Sequence, residues 1–288
     1  MKFGFVVHGG RPAAIEAASR LVAWCRDQRI STRCLKAVDV GADELAEAER
    51  FPDGLDLVVS FGGDGTLLRA ALQANRADVP LLGVNVGRLG FLTEATPEEA
   101  PAVLESFLEG NIEVQERLAL IAEAEGAPWD EPQWALNEVI VEKTARHRLV
   151  TLAAMVGDDF VTTFSADGVI VATPTGSTAY SFSARGPIVS PRLQCLILTP
   201  VSAHMVFDRP LVLAPDEQVV LEVKGEEPGL LSADGRPGLE LPIGSRVRIR
   251  RADRPARLLR RKDAETFYSL LRRKFDLPTA HPGGSGGV

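Results

Sequence analysis

The sequence has little of what several classes of protein need. It contains three cysteines, Cys25, Cys34 and Cys195, without a CxxC pair, which argues against a disulfide framework and favours a reducing compartment. Its four histidines lack metal-ligand spacing, so no structural zinc site is expected. No apolar run reaches the roughly 20 residues that span a bilayer. The formal net charge of −7 argues against nucleic-acid binding through bulk positive charge.

The amino-terminal stretch MKFGFVVHGG is broken by glycine too early to form the apolar region of a signal peptide. We therefore expect a cytoplasmic protein that uses neither a membrane nor a nucleic acid. At 288 residues, with 45% hydrophobic and 25% charged side chains, the chain has the composition of a folded protein and the length of two domains.

Up to about residue 115, short apolar runs alternate with longer amphipathic ones. Such alternation is typical of a parallel sheet covered by helices, here a Rossmann-like α/β domain over 1–115. We predict strands at 2–7, 32–38, 55–61 and 80–87, and helices at 12–28, 42–49, from 66 onward, and at 96–110 with Thr96 as the N-cap.

From 116 to 262 the runs become short, rich in Val, Ile and Leu, and separated by Gly, Pro and Asp. This pattern predicts an all-β domain of two packed sheets, a β-sandwich, with one helical interruption near 177–185. Residues 263–277 predict an amphipathic helix that docks back on the first domain. The glycine-rich stretch 278–288 predicts a disordered tail.

Gly62-Gly63-Asp64-Gly65-Thr66 follows the strongest predicted strand and opens a helix. Glycines let backbone N–H groups approach a phosphate, and a helix N-terminus favours its negative charge. An acidic side chain would repel that phosphate, unless Asp64 takes a proton from an attacking hydroxyl or helps to hold Mg²⁺. The alternative is a tight turn in which Asp64 merely caps the helix. The motif is neither a Walker A motif nor a dinucleotide GxGxxG.

A second motif, DGVIVATPTGSTAYS, runs from Asp167 to Ser181. A strand ends at a Pro-Thr-Gly-Ser turn and leads into a helix beside a flat aromatic side chain, Tyr180. Four hydroxyl side chains crowd this turn: Thr173, Thr175, Ser177 and Thr178. We predict that a ligand with a sugar and a base binds here. The alternative is a hydroxyl-rich helix start with Tyr180 as packing.

Three further features are less specific. Asn137-Glu138 opens the run NEVIVEK, and composition alone favours an exposed strand edge for this pair. Arg11, in the loop HGGRP, is a candidate phosphate contact, although a solvated loop arginine is the simpler interpretation. Residues 246–262 carry nine basic side chains and one acidic one. The alternation in Arg246–Arg250 predicts a solvated strand face, with an anion-attracting patch for ATP or polyphosphate as the alternative.

Together these motifs resemble the NAD kinase family. That family carries GGDGT, NxGxLGFLT, an Asn-Glu or Asn-Asp pair, and DGxxxxTPTGSTAYSxSAxGPI, which stand here at 62–66, 85–93, 137–138 and 167–188. A later Asp-Gly-Gln-like turn of the family resembles residues 234–236. GGDGT is shared with diacylglycerol, sphingosine and phosphofructo-type kinases, whereas TPTGSTAYS is far more specific. The order and rough spacing hold from about residue 2 to 277.

The resemblance implies phosphoryl transfer from Mg²⁺-bound ATP to the ribose 2′-hydroxyl of NAD, in a cleft between an α/β domain and a β-sandwich of a homodimer or homotetramer. Asp64 would be the catalytic base. The residues implied to bind NAD are Asp64, Gly65, Phe91, Asn137, Glu138, Arg148, Ser165, Asp167, Thr178, Ala179, Tyr180, Ser183 and Arg236. The residues expected at the ATP phosphates are Gly62, Gly63, Gly65, Thr66 and Arg11. No direct protein ligand of the metal is implied, because Mg²⁺ would arrive with ATP.

Two positions depart from the family. Arg236 stands where glutamine is common, which leaves that contact open. Ser165 replaces what is often arginine or glycine, which leaves open whether the protein prefers NAD or NADH. The rival functions are a GGDGT kinase for a lipid or sugar phosphate, which the TPTGSTAYS block opposes, and a non-catalytic NAD(P) sensor, which Asp64 opposes. Polyphosphate as donor, dimer against tetramer, and feedback by NADPH also stay open.

Overall fold

A computed structural model describes residues 1–87, 90–203 and 208–278. Apart from Pro278, the predicted disordered tail lies outside these residues. The first elements along the chain are β1 (Lys2–Val7), α1 (Pro12–Asp27), β2 (Ser31–Leu35), β3 (Glu44–Ala46), β4 (Leu57–Gly62), α2 (Asp64–Ala77), β5 (Leu81–Asn85), α3 (Ala100–Leu108) and β6 (Glu113–Arg117).

The chain continues with shorter elements, most of them strands. They are β7 (Leu120–Glu125), β8 (Gln133–Ala135), β9 (Glu138–Lys143), β10 (Val150–Val156), β11 (Asp159–Ala166), β12 (Gly168–Ala172), a 3₁₀ turn (Gly176–Thr178), α4 (Tyr180–Ser183), β13 (Leu196–Val201), β14 (Leu211–Leu213), β15 (Val219–Lys224), β16 (Gly229–Ala233), β17 (Leu239–Leu241), β18 (Arg246–Arg251), β19 (Ala256–Arg260) and α5 (Phe267–Lys274).

The first sheet has the strand order β3-β2-β1-β4-β5-β19-β6 and is parallel except between β19 and β6. Helices α1 and α3 pack on one face, and α2 packs on the other. Because both faces are covered, the central strands are continuously apolar, and every residue of β4 is buried. The predicted parallel α/β architecture is confirmed.

The second part forms two six-stranded antiparallel sheets, β11-β10-β15-β18-β7-β8 and β14-β13-β12-β9-β16-β17. Their inner faces share one large aliphatic core, which includes Leu120, Val141, Leu152, Val171 and Leu198. The predicted β-sandwich is confirmed. Strand β19, which the sequence analysis assigned to 116–262, instead pairs with β5 and β6 in the first sheet. Its sequence, ARLLR, places mostly buried side chains between β5 and β6.

Three helix predictions need correction. The segment 42–49 is a short edge strand followed by turns, since the Asp43 carboxylate accepts hydrogen bonds from the backbone N (2.8 Å) and hydroxyl (3.0 Å) of Thr32 and holds the segment beside β2. Helix α2 begins at Asp64, before the predicted start after Thr66. Helix α3 begins at Ala100 with Glu99 as its N-cap, so the predicted N-cap at Thr96 is wrong. Thr96 and Glu99 instead form a reciprocal pair of hydrogen bonds, at 2.8 and 3.3 Å, in the turn before α3.

Helix α5 bridges the two parts of the chain. The ring of Phe267 lies 6.3 Å from that of Phe91, which follows β5. Just beyond the helix, the ring of Phe275 lies 4.9 Å from Phe182 in α4. In the described part of the chain, no helix combines the length and apolarity that crossing a membrane requires.

The turn after β12 approaches β9 so closely that one glycine has no room for a side chain. A Cβ at Gly176 would lie 2.1 Å from the carbonyl oxygen of Asn137. The N–H of Thr173 also donates to that oxygen at 2.8 Å, which anchors the turn to the strand. Neither backbone can move without breaking this contact.

We expect Gly176→Ala to lower the free energy of unfolding by about 1–3 kcal/mol, the usual cost of overpacking. Thermal unfolding measures the effect. Gly63→Ala is the matched control, because a Cβ at Gly63 meets nothing within 4 Å and its φ is −107°. An unchanged melting temperature in Gly176→Ala would show that the turn is looser than described.

Candidate active site

The GGDGT turn joins β4 to α2 at the carboxyl edge of the first sheet. A Cβ at Gly62 would lie 2.3 Å from the Thr66 hydroxyl, so these two residues pack against each other. Among the residues that the structure describes, a Cβ at Gly63 or Gly65 would meet no atom within 4 Å. Of the glycines expected at a phosphate, these two present accessible backbone.

The Asp64 carboxylate is fixed by the loop that follows β5. Oδ2 accepts a hydrogen bond from the N–H of Phe91 at 2.9 Å, and Oδ1 accepts one from Leu92 at 3.2 Å. A Cβ at Gly90 would lie 1.8 Å from Oδ1, so this loop is shaped around the carboxylate. Gly63 is the N-cap of α2, and no side chain caps that helix end. The helix-cap interpretation of Asp64 is therefore wrong.

Arg11 lies at the same edge of the sheet. Its Nη1 donates to the carbonyl oxygen of Val86 at 2.9 Å, which ties the loop after β1 to the residue that follows β5. Arg11 is exposed. The side chain is thus held near the GGDGT edge with donors left for an anion.

In the second part of the chain, a tight turn holds the Asn-Glu pair. Asp234 and Gly235 both have positive φ, 50° and 67°. The Asp234 carboxylate accepts hydrogen bonds from the backbone N–H groups of Leu136 (2.7 Å), Asn137 (2.8 Å) and Glu138 (3.2 Å). The sequence analysis identified this turn by its resemblance to the family's Asp-Gly-Gln-like turn, but it selected only Arg236 as a site residue and not Asp234.

Asn137 and Glu138 are buried, with 7% and 9% of their surface exposed. The expectation of an exposed strand edge is therefore wrong, because β9 lies between β12 and β16 in the middle of its sheet. Oδ1 of Asn137 and Oε2 of Glu138 have no hydrogen-bond partner within the described residues. Two buried polar atoms without partners indicate a place for a ligand.

Burial and the nearby Asp234 together raise the pKa of Glu138 to about 8, although a hydrogen bond from the N–H of Tyr180 opposes the shift. Burial also raises the pKa of Asp234, although the three backbone donors and Arg236 oppose part of that shift. Because those three N–H groups bind the ionised form of Asp234, we expect the proton on Glu138 and the charge on Asp234 near neutral pH. A protonated Glu138 donates a hydrogen bond rather than accepting one.

Most hydroxyls of the TPTGST turn stabilise the turn itself. Those of Thr173 and Ser177 each donate to a backbone carbonyl at 2.7 Å, and that of Thr175 accepts from Arg117 at 3.3 Å. All three side chains are buried. The hydroxyl of Thr178 also donates to the carbonyl oxygen of Thr175, at 3.4 Å, but this side chain is only half-buried. The predicted hydroxyl-rich binding surface is therefore reduced to Thr178.

The remaining residues of this motif lie at the surface around Glu138. Ala179 is half-buried, whereas Tyr180 and Ser183 of α4 are exposed. Burial raises the pKa of Tyr180, and Glu142, Asp167 and Glu138 raise it further, which places these acidic groups near the phenol. Asp167 forms an ion pair with Lys143, a residue that the sequence analysis did not select.

The chain was then compared with known proteins. The ATP-NAD kinase N-terminal domain profile matches residues 3–112, and the C-terminal domain profile matches 136–261. An NAD kinase of Heliobacterium modesticaldum is 41% identical over 278 residues, covering 94% of this chain and 97% of that protein. An NAD kinase of Mycobacterium tuberculosis is 39% identical over 292 residues, covering 95% of each.

The chain belongs to the NAD kinase family. An NAD kinase of Archaeoglobus fulgidus, solved in complex with ATP, superposes with a TM-score of 0.76 at 26% identity, covering 96% of this chain and 100% of that one. Yeast NADH kinase, complexed with NADH, has a TM-score of 0.88 at 20% identity, covering 98% of this chain and 89% of that one. Because yeast NADH kinase is only 20% identical to this chain, this similarity supports the fold alone.

Four positions matched to NAD kinase motifs have protein partners of their own. Arg148 is exposed and pairs with Glu227 at 2.9 Å. Arg236 donates to the carbonyl oxygen of Trp134. Ser165 lies in β11 opposite Thr151.

The fourth is Phe91, whose ring faces helix α5. It lies 6.3 Å from the ring of Phe267, and Lys274 Nζ lies 5.7 Å from its centroid. Its backbone N–H, by contrast, binds Asp64 at 2.9 Å.

The arginines of β18 have cross-strand acidic partners. Arg246 lies 3.4 Å from Glu222, and Arg248 lies 3.5 Å from Glu125. Both arginines are exposed. This arrangement favours the solvated strand face over an anion-attracting patch at β18.

The buried proton on Glu138 predicts a pH effect on stability. A carboxyl whose pKa rises from 4.5 to about 8 on folding stabilises the fold fully below 4.5, and this stabilisation is lost as the pH rises through about 8. Glu138→Gln cannot ionise. We therefore expect the melting temperature of the wild type to fall more than that of Glu138→Gln between about pH 5 and pH 9.

Glu105→Gln, at an exposed position of α3, makes the same chemical change and should follow the wild type. Melting curves that stay parallel for the wild type and Glu138→Gln would mean that Glu138 is ionised in the folded protein.

Proposed function

We propose that the chain is an enzyme that transfers the γ-phosphoryl group of ATP to the 2′-hydroxyl of the adenosine ribose of NAD, giving NADP. The observation that carries the proposal is the fixed Asp64 carboxylate, which two backbone N–H groups hold at 2.9 and 3.2 Å between two glycines where a Cβ would meet no described atom within 4 Å. Membership of the NAD kinase family supports the choice of acceptor.

A ribose hydroxyl is a poor nucleophile near neutral pH and needs a base within hydrogen-bond reach. Each carboxylate oxygen of Asp64 accepts one N–H and keeps a lone pair for a further donor. Asp64 would take the proton of the 2′-hydroxyl as the bond to phosphorus forms. The two backbone donors fix the direction of the carboxylate, so little reorganisation is needed during the reaction.

The acceptor nucleotide would bind between Asp64 and the Asn-Glu pair. Asn137 and Glu138 offer the two unpartnered oxygens in buried positions, which suit the hydroxyls of a ribose. Tyr180 presents an exposed ring beside them. The other residues proposed to line this pocket are Gly65, Phe91, Arg148, Ser165, Asp167, Thr178, Ala179, Ser183 and Arg236.

The phosphates of ATP would contact the exposed backbone of Gly63 and Gly65, with Arg11 nearby and Gly62 and Thr66 supporting the turn. A divalent cation such as Mg²⁺ would accompany ATP and neutralise charge on the phosphate oxygens. The phosphate oxygens of ATP would hold this cation, so we assign it no direct protein ligand. The dipole of α2, whose first residue is Asp64, adds a favourable field for the anion.

We also propose that the protein works as a homo-oligomer in the cytoplasm. The support is an apolar surface around α4, where Phe182 and Ile188 are each 38% exposed and Val212 on β14 is 59% exposed. Burying such side chains against a second copy is favourable. We propose two domains, 1–115 with 263–277 docked on it and 116–262, with the exception that β19 belongs to the first sheet.

The proposal is tested by incubating the purified chain with Mg²⁺, ATP and NAD and measuring NADP with an NADP-specific dehydrogenase. We expect turnover by the wild type and a loss of at least about 100-fold in Asp64→Asn, the low end of the usual contribution of a positioned base. Asp78→Asn is the matched control at the opposite end of α2. Its φ of 55° is one that asparagine adopts readily.

Near wild-type turnover in a folded Asp64→Asn variant would show that Asp64 is not the catalytic base. No NADP from folded wild type, with donor and metal varied, would refute the reaction and favour a lipid or sugar-phosphate acceptor.

A further inference from the structure

A cavity of about 500 Å³ lies beside the proposed nucleotide site, under helix α5. Its walls come from β6, the end of β19, the TPTGST turn and the start of α5. It shares Phe91 and Thr178 with the proposed NAD pocket, but Asp64, Gly63 and Gly65 do not line it. The cavity therefore adjoins the proposed NAD pocket but does not include the residues proposed to act on the transferred phosphoryl group.

The cavity contains a buried guanidinium. Arg117 is only 6% exposed, and it donates to Oε1 of Gln115 at 2.8 and 3.2 Å and to the hydroxyl of Thr175 at 3.3 Å. These bonds use three of its five N–H groups. Among the described residues it forms no ion pair. Burial and repulsion by Arg260 together lower the pKa of Arg117 to about 10, and attraction by Glu94 offsets only part of this shift.

Two further cations on the wall, Arg192 and Lys262, also form no ion pair within the described ranges. Arg260 and Arg261 are neutralised, by Glu94 at 2.7 Å and Glu99 at 2.6 Å. The acidic side chains on the lining are Glu113 and Glu265, and Glu265 already pairs with Arg273. The cavity therefore has an excess of positive charge, and part of that charge is buried.

We propose that this cavity binds a small oxyanion, a phosphate or a carboxylate, with Arg117 as its principal contact and Arg192 at the rim. A buried cation without a counter-charge is costly, and an anion in reach of its free N–H groups relieves that cost. The planar fork of arginine matches the paired oxygens of carboxylates and phosphates. Ser190, Thr178 and Thr266 supply hydroxyl donors on the same lining.

One residue, Phe91, connects this cavity with the proposed active site. The ring of Phe91 packs on Phe267 of α5, while the N–H of Phe91 holds the Asp64 carboxylate. An anion between Arg117 and α5 would restrict that helix and with it the loop that positions Asp64. We therefore expect the site to act as an effector-type site, since Gly63, Asp64 and Gly65 are not among its lining residues.

The test uses the full chain with NADP present in excess, so that the nucleotide pocket is filled before the titration. Inorganic phosphate and citrate are titrated separately by calorimetry. We expect one anion per chain in the wild type. Affinity should fall by about tenfold or more in Arg117→Gln, the usual cost of a lost charged hydrogen bond, and severalfold in Arg192→Gln. Binding of only one of the two probes identifies the chemistry as phosphate or carboxylate.

Arg248→Gln is the charge-matched control, because Arg248 is exposed on β18 and does not line the cavity. Its affinity should equal that of the wild type. If Arg117→Gln does not fold, Arg192→Gln and Arg117→Lys decide, since lysine keeps the charge but loses the fork. The inference is overturned if neither anion binds saturably, or if the folded cavity variants bind both anions like the wild type. NADP formation without anion binding would leave the proposed function intact.

Discussion

The hydrogen bonds from the backbone of Phe91 and Leu92 to the Asp64 carboxylate, at 2.9 and 3.2 Å, hold the first residue of α2 against the loop after β5. Both elements emerge at the carboxyl edge of a parallel sheet, where helix starts and loops converge. Because Gly90 has no Cβ, the loop can close around the carboxylate. The ring of Phe91 then packs on α5, so the same loop also fixes the carboxyl-terminal helix.

In the β-sandwich, a second carboxylate also fixes the backbone by accepting N–H hydrogen bonds. Asp234 binds three successive backbone N–H groups and thereby sets the start of β9. The two carboxylates differ in their surroundings and therefore in the chemistry that they favour. Each carboxylate oxygen of Asp64 accepts a single N–H, whereas the charge on Asp234 lies near the buried Glu138 and favours its protonated form. In the proposed reaction Asp64 would accept a proton, and a protonated Glu138 would donate a hydrogen bond.

The sequence predicted the parts of the fold in which periodicity and burial agree. The central strands of the first sheet are apolar on both faces, and the sandwich strands are short aliphatic runs, so both architectures could be predicted. Segment 42–49 could not, because a side-chain contact from Asp43 to Thr32 outweighs its helical propensity. The hydroxyls of Thr173 and Ser177 looked like a ligand surface, but they bind backbone carbonyls that only the folded turn brings near.

The hydrogen bonds of Arg117 explain its position in the fold but not the need for its positive charge. Its bonds to Gln115 and Thr175 join β6 of the first sheet to the turn that carries Thr178, so it helps to hold the two parts of the chain together. A neutral donor could make those bonds without the cost of burying a cation. The positive charge is therefore the part that the fold does not account for, and the adjoining cavity, with Arg192 on its wall, is where a compensating anion has room.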